Sequence, residues 1–237
     1  MFSQRAVRIG GGVLIPAAFA FYALAQQPAP WKSLFDGKTS AGWKEISGKP
    51  FPATWTIEDG CLKALVKPGG AQDIVTEDKF TNFDLDFEWK LLAGGNSGVK
   101  YLIQNEDVWN NKDGRQARAR GLEYQLADDA HPDVSGDATR MTASLYSVIA
   151  PSPRTPTAMS VFHKSRILVQ GNHAEHWLDD VRVVSFELTD PKVQDQLRKN
   201  LPKGSTAATP LRRVTAISLQ NHGSETWFRN LRVRRLE

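Results

Sequence analysis

Eight consecutive residues, Phe83-Asp84-Leu85-Asp86-Phe87-Glu88-Trp89-Lys90, alternate strictly between apolar and charged. A helix would scatter these side chains around its axis. An extended strand instead puts every apolar group on one face and every charge on the other. Such a strand needs a second layer against its apolar face, which commits the chain to a sheet packed over a one-sided core. The same period of two returns less cleanly in residues 99–104, 121–126, 166–170, 173–178, 181–188, 214–221 and 226–234. Glu58-Asp59-Gly60, Gly94-Gly95-Asn96, Gly171-Asn172 and Leu178-Asp179-Asp180 punctuate these runs as turns, the last one predicting a tight hairpin. Helical signal is confined to 190–200, where Asp190 suits an N-cap and Pro191 the first turn. Many short strands with polar connections predict an all-β, two-sheet jelly-roll sandwich with one short helix.

Composition agrees. Seven Trp and eleven Phe suit a β-rich core or a sugar-facing surface, and 41% hydrophobic with 24% charged residues excludes wholesale disorder in this 237-residue chain. The single Cys61 excludes an internal disulfide and a Cys-clustered zinc site. Net charge is +4, two of these charges being Arg5 and Arg8, and no basic run carries interleaved aromatics, so nucleic acid is not an expected partner.

Arg5 and Arg8 precede an apolar stretch from Ile9 to Ala25 that ends in Ala23-Leu24-Ala25. This order reads as a secretory signal peptide over 1–25, cleaved after Ala25. The run is short for a membrane span and is weakened by Gly10 to Gly12 and Pro16. The mature protein is thus expected to begin near Gln26, to work in the periplasm or outside the cell, and to have no membrane partner after cleavage. Residues 26–30 read as a short linker, and 31–237 as one domain. Residues 105–120 and 128–143 read as two long polar loops flanking the strand 121–126, so whatever they cover includes that strand.

Alternation places Gly121, Glu123 and Gln125 on one face of that strand, and Ser218, Gln220 and His222 on one face of another. Arg166, Leu168 and Gln170 alternate with Ile167 and Val169. Two readings stand: a solvated outer sheet, or the concave, sugar-binding face of the jelly roll. Amide side chains favour the second, since they offer both donor and acceptor to hydroxyls. His173 and His176 fall on opposite faces of a strand and do not ligate together. Asp128, Asp129 and Asp133 beside His131 read either as a solvated acidic loop or as oxygen ligands for a hard cation. No phosphate-binding glycine loop and no G-x-S-x-G elbow is present outside the N-terminal segment.

The stretches LFDGKTSAGW (34–43), WTIEDGCL (55–62), FDLDFEWKLLAGGNSGVKY (83–101), GLEYQLADDAHPD (121–133), ASLYSVIAP (143–151), RILVQGNHAEHWLDDVRVVSFEL (166–188) and ISLQNHGSETWFRNLRVR (217–234) run through nearly the whole mature chain. Together they resemble the secreted bacterial 3-keto-disaccharide hydrolase domains, also described as 3-keto-α-glucoside 1,2-lyase/3-keto-2-hydroxyglucal hydratase domains. The resemblance implies a concanavalin-A-like jelly roll and an oligosaccharide or glycoside substrate oxidised at sugar carbon 3. Three places depart from the family's pattern: Ser160 to Lys164, Asn221 in place of Asp, and Asp180 in place of Gly or Asn.

The resemblance also implies a chemistry. A carbon-3 ketone acidifies the hydrogen on carbon 2, so elimination needs a base, donors for the enolate oxygen and an acid for the leaving alcohol. Glu123 is the candidate base and His222 the candidate proton donor or enolate stabiliser. Asn96, Gln125, Arg166 and Gln220 are candidates for orienting hydroxyls, and Tyr101, His176 and Trp227 for contacting a sugar face. Competing readings pair Glu123 with Arg166 in a salt bridge, pack Trp227 in the core and make 96–98 a simple turn. The sequence requires no cofactor and leaves a divalent-cation requirement and the oligomeric state open. A non-catalytic glycan-binding module is the alternative function.

Overall fold

A computed structural model describes Met1 and residues 29–66, 69–134, 136–154 and 156–237. The expected signal peptide, its cleavage site and most of the linker lie outside the described residues. Fourteen strands are present among the described residues: β1 (Lys32–Ser33), β2 (Trp43–Glu45), β3 (Trp55–Glu58), β4 (Cys61–Ala64), β5 (Gly69–Gln72), β6 (Ile74–Thr76), β7 (Phe83–Leu91), β8 (Asn96–Asn111), β9 (Gly114–Ala127), β10 (His163–Gln170), β11 (His173–Leu178), β12 (Val181–Glu187), β13 (Ser218–Leu219) and β14 (Thr226–Arg235). One helix, α1 (Pro191–Lys199), follows β12; Asp190 caps it, accepting from the Lys192 N–H at 2.8 Å. None of the described helices is long and apolar enough to cross a membrane.

The strands form a two-sheet jelly-roll sandwich. The eight-stranded sheet runs β12-β11-β10-β7-β14-β4-β3, with β1 attached to β14. The six-stranded sheet runs β2-β6-β13-β8-β9-β5, with β5 parallel to β9. β7 behaves as its alternation demands: Phe83, Leu85, Phe87 and Trp89 are buried in the core between the sheets. On its other face Asp84 is also buried, because Arg166 of β10 and Arg234 of β14 close over its carboxylate. Arg232 does the same for Asp86, and Arg229 for Glu88, so the outer face of this sheet is a ladder of ion pairs.

Two expectations need correction. Residues 105–120 are not a loop. They continue β8 and β9 into a long antiparallel hairpin, Asn105 opposite Arg120 through to Asn111 opposite Gly114. Asn105 to Asn111 carries no clean polar–apolar period, because beyond Ile103 much of it is exposed. The loop over 128–143 does hold, broken only by one turn of 3₁₀ helix at Ala138–Arg140. The strand expected over 214–221 shrinks to Ser218–Leu219, since side-chain hydroxyls interrupt the ladder. Ile217 N–H donates to Thr76 Oγ1 at 3.0 Å, and Ile103 N–H to Thr215 Oγ1 at 3.2 Å.

Candidate active site

The register of the six-stranded sheet builds one polar surface from three strands. Lys100 of β8 stands opposite Glu123 of β9, and Gly98 opposite Gln125. Ser218 of β13 pairs with Lys100, and the Gln220 N–H donates to Gly98 O at 2.9 Å. With a period of two, Asn96, Lys100, Glu123, Gln125 and Gln220 therefore share the face away from the core. They line a recess of about 340 Å³, together with Trp109, Arg118, Tyr146 and His222 among others. A second cavity of about 820 Å³ adjoins it, sharing Asn111, Gln116, Arg118 and His222 and floored by Gly69 to Ala71. Both volumes fall in the range of small-molecule sites.

Glu123 is the single carboxylate among the described residues lining the smaller recess. Gly98 gives it room, since a Cβ there would lie 2.3 Å from Glu123 Oε1. The Gln125 amide, with its nitrogen turned toward Glu123, donates to Oε1 and to Ser97 O, both at 3.2 Å. Burial pushes the Glu123 carboxyl above the usual carboxylate range; Lys100 opposes this shift and Asp73 reinforces it. His222 is exposed at the rim where the two cavities meet. Desolvation by the groove walls, helped by the cations Arg118 and Lys100, lowers its pKa below 6.5. Its backbone position is fixed by its neighbour. The Asn221 side chain donates to Thr54 O and Leu65 O at 3.0 and 3.3 Å, and accepts from Gly223 N–H at 2.9 Å.

Beneath the recess lies Asp73, fully buried between β5 and β6. Its Oδ2 accepts from Lys100 Nζ at 3.3 Å and the Ala119 N–H at 2.9 Å. Its Oδ1 accepts from Arg118 at 3.1 Å and the Asn221 N–H at 3.2 Å. One carboxylate thus ties together β8, β9 and the segment after β13 while fixing two cations at the groove. Gln220 is buried and its Oε1 has no partner among the described residues, leaving an acceptor for a ligand hydroxyl.

The structure thus brings together Glu123, His222, Asn96, Gln125 and Gln220. Asn96 to Gly98 open β8 and are not a turn. Four candidates fall elsewhere. Arg166 lies on the other sheet, paired with Asp84 at 2.6 Å, in a separate recess with Trp31 and Trp177, so the Glu123–Arg166 salt bridge does not form. Trp227 is also on that sheet, its indole N–H reaching Glu58 and its ring beneath Lys63 and Lys90. Tyr101 and His176 face the core, where the Tyr101 hydroxyl donates to His176 Nε2 at 2.7 Å. Nδ1 of His176 donates to Ala143 O at 3.0 Å, and burial lowers its pKa to about 4.

Lys100, Asp73, Arg118, Gln116 and Trp109 were not among the sequence candidates. For Lys100 the signal was available, since it stands four residues after Asn96 on the same face of the strand. The others were hidden by the assignment of 105–120 to a loop and by the isolation of Asp73 between short strands. No three His, Cys, Asp or Glu among the described residues are grouped to hold a metal. Of the acidic-loop residues, Asp128 accepts from the Gly94 and Ala130 N–H groups and Asp129 pairs with Arg154. The departures at 160–164 and 180 line neither groove cavity.

Comparison with known proteins agrees with this architecture. A 3-keto-disaccharide hydrolase of Bacteroides thetaiotaomicron is 35% identical over 229 residues, covering 86% of this chain and 78% of that protein. Crystal structures of presumed glycosyl hydrolases from Parabacteroides distasonis superpose with TM-scores of 0.71 and 0.64, each at 26% identity. They cover 87% of this chain and 94% and 100% of theirs. Residues 30–234 match the 3-keto-alpha-glucoside-1,2-lyase-like domain, and the chain belongs to that family.

Proposed function

We propose that this protein cleaves 3-keto-glycosides, 3-keto-disaccharides among them, by elimination across carbons 1 and 2 and rehydration of the product, a net hydrolysis. One observation carries the reading: the recess offers a single carboxylate, Glu123, where a conventional glycosidase needs two flanking the scissile bond. A carbon-3 ketone removes that need, because one base is enough to start elimination. Family membership and the name of the Bacteroides relative support the same substrate class.

In this mechanism Glu123 takes the proton from carbon 2, and the C–H electron pair forms the carbon 2–carbon 3 double bond of an enolate. The enolate then collapses. The ketone re-forms, the double bond moves to carbons 1 and 2, and the carbon 1–oxygen bond breaks. His222, on the wall shared by the two cavities, delivers the proton to the departing oxygen. Water then adds at carbon 1, giving up a proton to the now neutral His222, and protonated Glu123 returns its proton to carbon 2, so both groups end as they began. A carboxyl pKa raised by burial suits both halves, giving a stronger base for carbon 2 and an acid able to return the proton. Asn96, Gln125 and Gln220 orient ring hydroxyls. In keeping with the leader read from the sequence, the enzyme acts outside the cytoplasm on substrate oxidised beforehand.

The test incubates residues 26–237 with a 3-keto-disaccharide in deuterated water and follows it by NMR. Glycosidic cleavage with deuterium at carbon 2 is expected, and Glu123→Gln should lose at least about a hundredfold in rate. Cleavage without deuterium at carbon 2 would refute elimination. Binding without any change in the sugar would point to a glycan-binding module.

A further inference from the structure

The mechanism just proposed leaves the enolate oxygen without a partner, and an unused buried cation stands beside the base. Lys100 is about nineteen-twentieths buried, at 5% exposure, yet lines the recess. An ammonium carries three N–H donors. Among the described residues one hydrogen bond is made, to Asp73 Oδ2 at 3.3 Å, while Glu123 Oε2 at 3.8 Å lies beyond hydrogen-bond reach. Burying an ammonium with donors unspent is costly unless a ligand completes its shell.

The spacing fits a particular ligand atom. A base touching the hydrogen on carbon 2 and a donor touching the oxygen on carbon 3 stand about 4–6 Å apart, given reactive contacts of about 3 Å. The 3.8 Å between Lys100 Nζ and Glu123 Oε2 lies at the short end of that span. Asp73, which is fully buried and held by the Ala119 and Asn221 N–H groups, keeps the ammonium in place before substrate arrives. This is the preorganisation that makes an oxyanion donor effective.

We infer that Lys100 is a catalytic residue, donating to the oxygen on carbon 3 as the enolate forms, with Asp73 as its positioning residue. The inference rests on the elimination reading and assigns His222 wholly to the leaving oxygen. The electron pair released from the carbon 2–hydrogen bond ends on an oxygen hydrogen-bonded to Lys100, and it returns when the carbon 1–oxygen bond breaks. Lys100 stays protonated throughout.

Lys100→Met and Lys100→Arg test this, with three readouts: carbon-2 deuterium exchange, cleavage of the 3-keto-disaccharide, and binding of the unoxidised parent disaccharide. The expected result for Lys100→Met is a loss of about 10²–10³ in both exchange and cleavage, as for removal of one oxyanion donor, with parent-sugar affinity changed less than about fivefold. Lys100→Arg keeps the charge paired with Asp73 but displaces it from the ketone, so it should fold normally and still lose at least about tenfold. It carries the test if Lys100→Met fails to fold. A folded variant that exchanges and cleaves within about fivefold of the parent enzyme would overturn the assignment and leave Lys100 a structural ion pair. A parent enzyme that neither exchanges nor cleaves would instead overturn the elimination reading itself.

Discussion

Gly98→Ala offers a single-methyl test of whether the position of Glu123 matters. Gly98 sits in β8 directly opposite Gln125 and has no positive φ, so alanine fits its backbone without strain. The obstacle lies across the sheet, where the new Cβ would come 2.3 Å from Glu123 Oε1 and 3.0 Å from its Cγ and Cδ. Restoring an ordinary contact of 3.4 Å forces the carboxylate back by about 1.1 Å. A misplacement of about 1 Å costs on the order of a hundredfold in rate, or about 2.7 kcal/mol of barrier. Stability should hold or rise, because glycine inside a strand is about 0.5–1 kcal/mol worse than alanine. The assay is steady-state cleavage of a 3-keto-disaccharide beside a thermal melt. The expected pattern is kcat down by about two orders of magnitude, with the melting temperature unchanged or higher. A folded Gly98→Ala enzyme turning over within about fivefold of the parent would refute the reasoning, because the base would then not act from where it stands.

Two further outcomes follow from the charge environment. Burial raises the Glu123 carboxyl and lowers the His222 imidazole, and the mechanism needs the first ionised and the second protonated, so kcat/KM should be bell-shaped, rising as Glu123 ionises and falling as His222 loses its proton; a plateau extending through pH 8 would remove His222 as the acid. His176 titrates at about 4 in the fold against 6.5 when free, so the unfolded chain binds the extra proton and stability falls as pH drops from 6.5 toward 4, by up to about 3 kcal/mol; urea melts at pH 7 and pH 5 should show the decline in the parent protein and its loss in His176→Gln.

The jelly roll was legible because alternation reports directly on strand faces. β7 and β11 and the cap of α1 stand where the pattern put them, and Glu123 and Gln125 share a face as their spacing required. What alternation does not report is sheet membership. Both sheets have a face away from the core, so Arg166, with just as polar a pattern as Glu123, landed on the far sheet beneath Trp177. Nor does it say which of two alternating faces is the core. Tyr101 and His176 are polar-tipped aromatics that satisfy each other inside, so their hydroxyl and imidazole gave no sign of burial. The ribbon at 105–120 escaped because the outer part of β8 has no consistently apolar side. Even so, Ala117 and Ala119 alternating with Gln116, Arg118 and Arg120 marked half of it.

The four bonds to Asp73 also say something about when the enzyme becomes active. Its partners Lys100, Arg118, Ala119 and Asn221 stand 27, 45, 46 and 148 positions further along the chain. A ribosome that has released the first 123 residues has supplied the candidate base, both cations and their anchor, but not the strand end that carries His222. Long-range closures of this kind come late in folding. Turnover regained on refolding should therefore follow the arrival of the last seventeen residues.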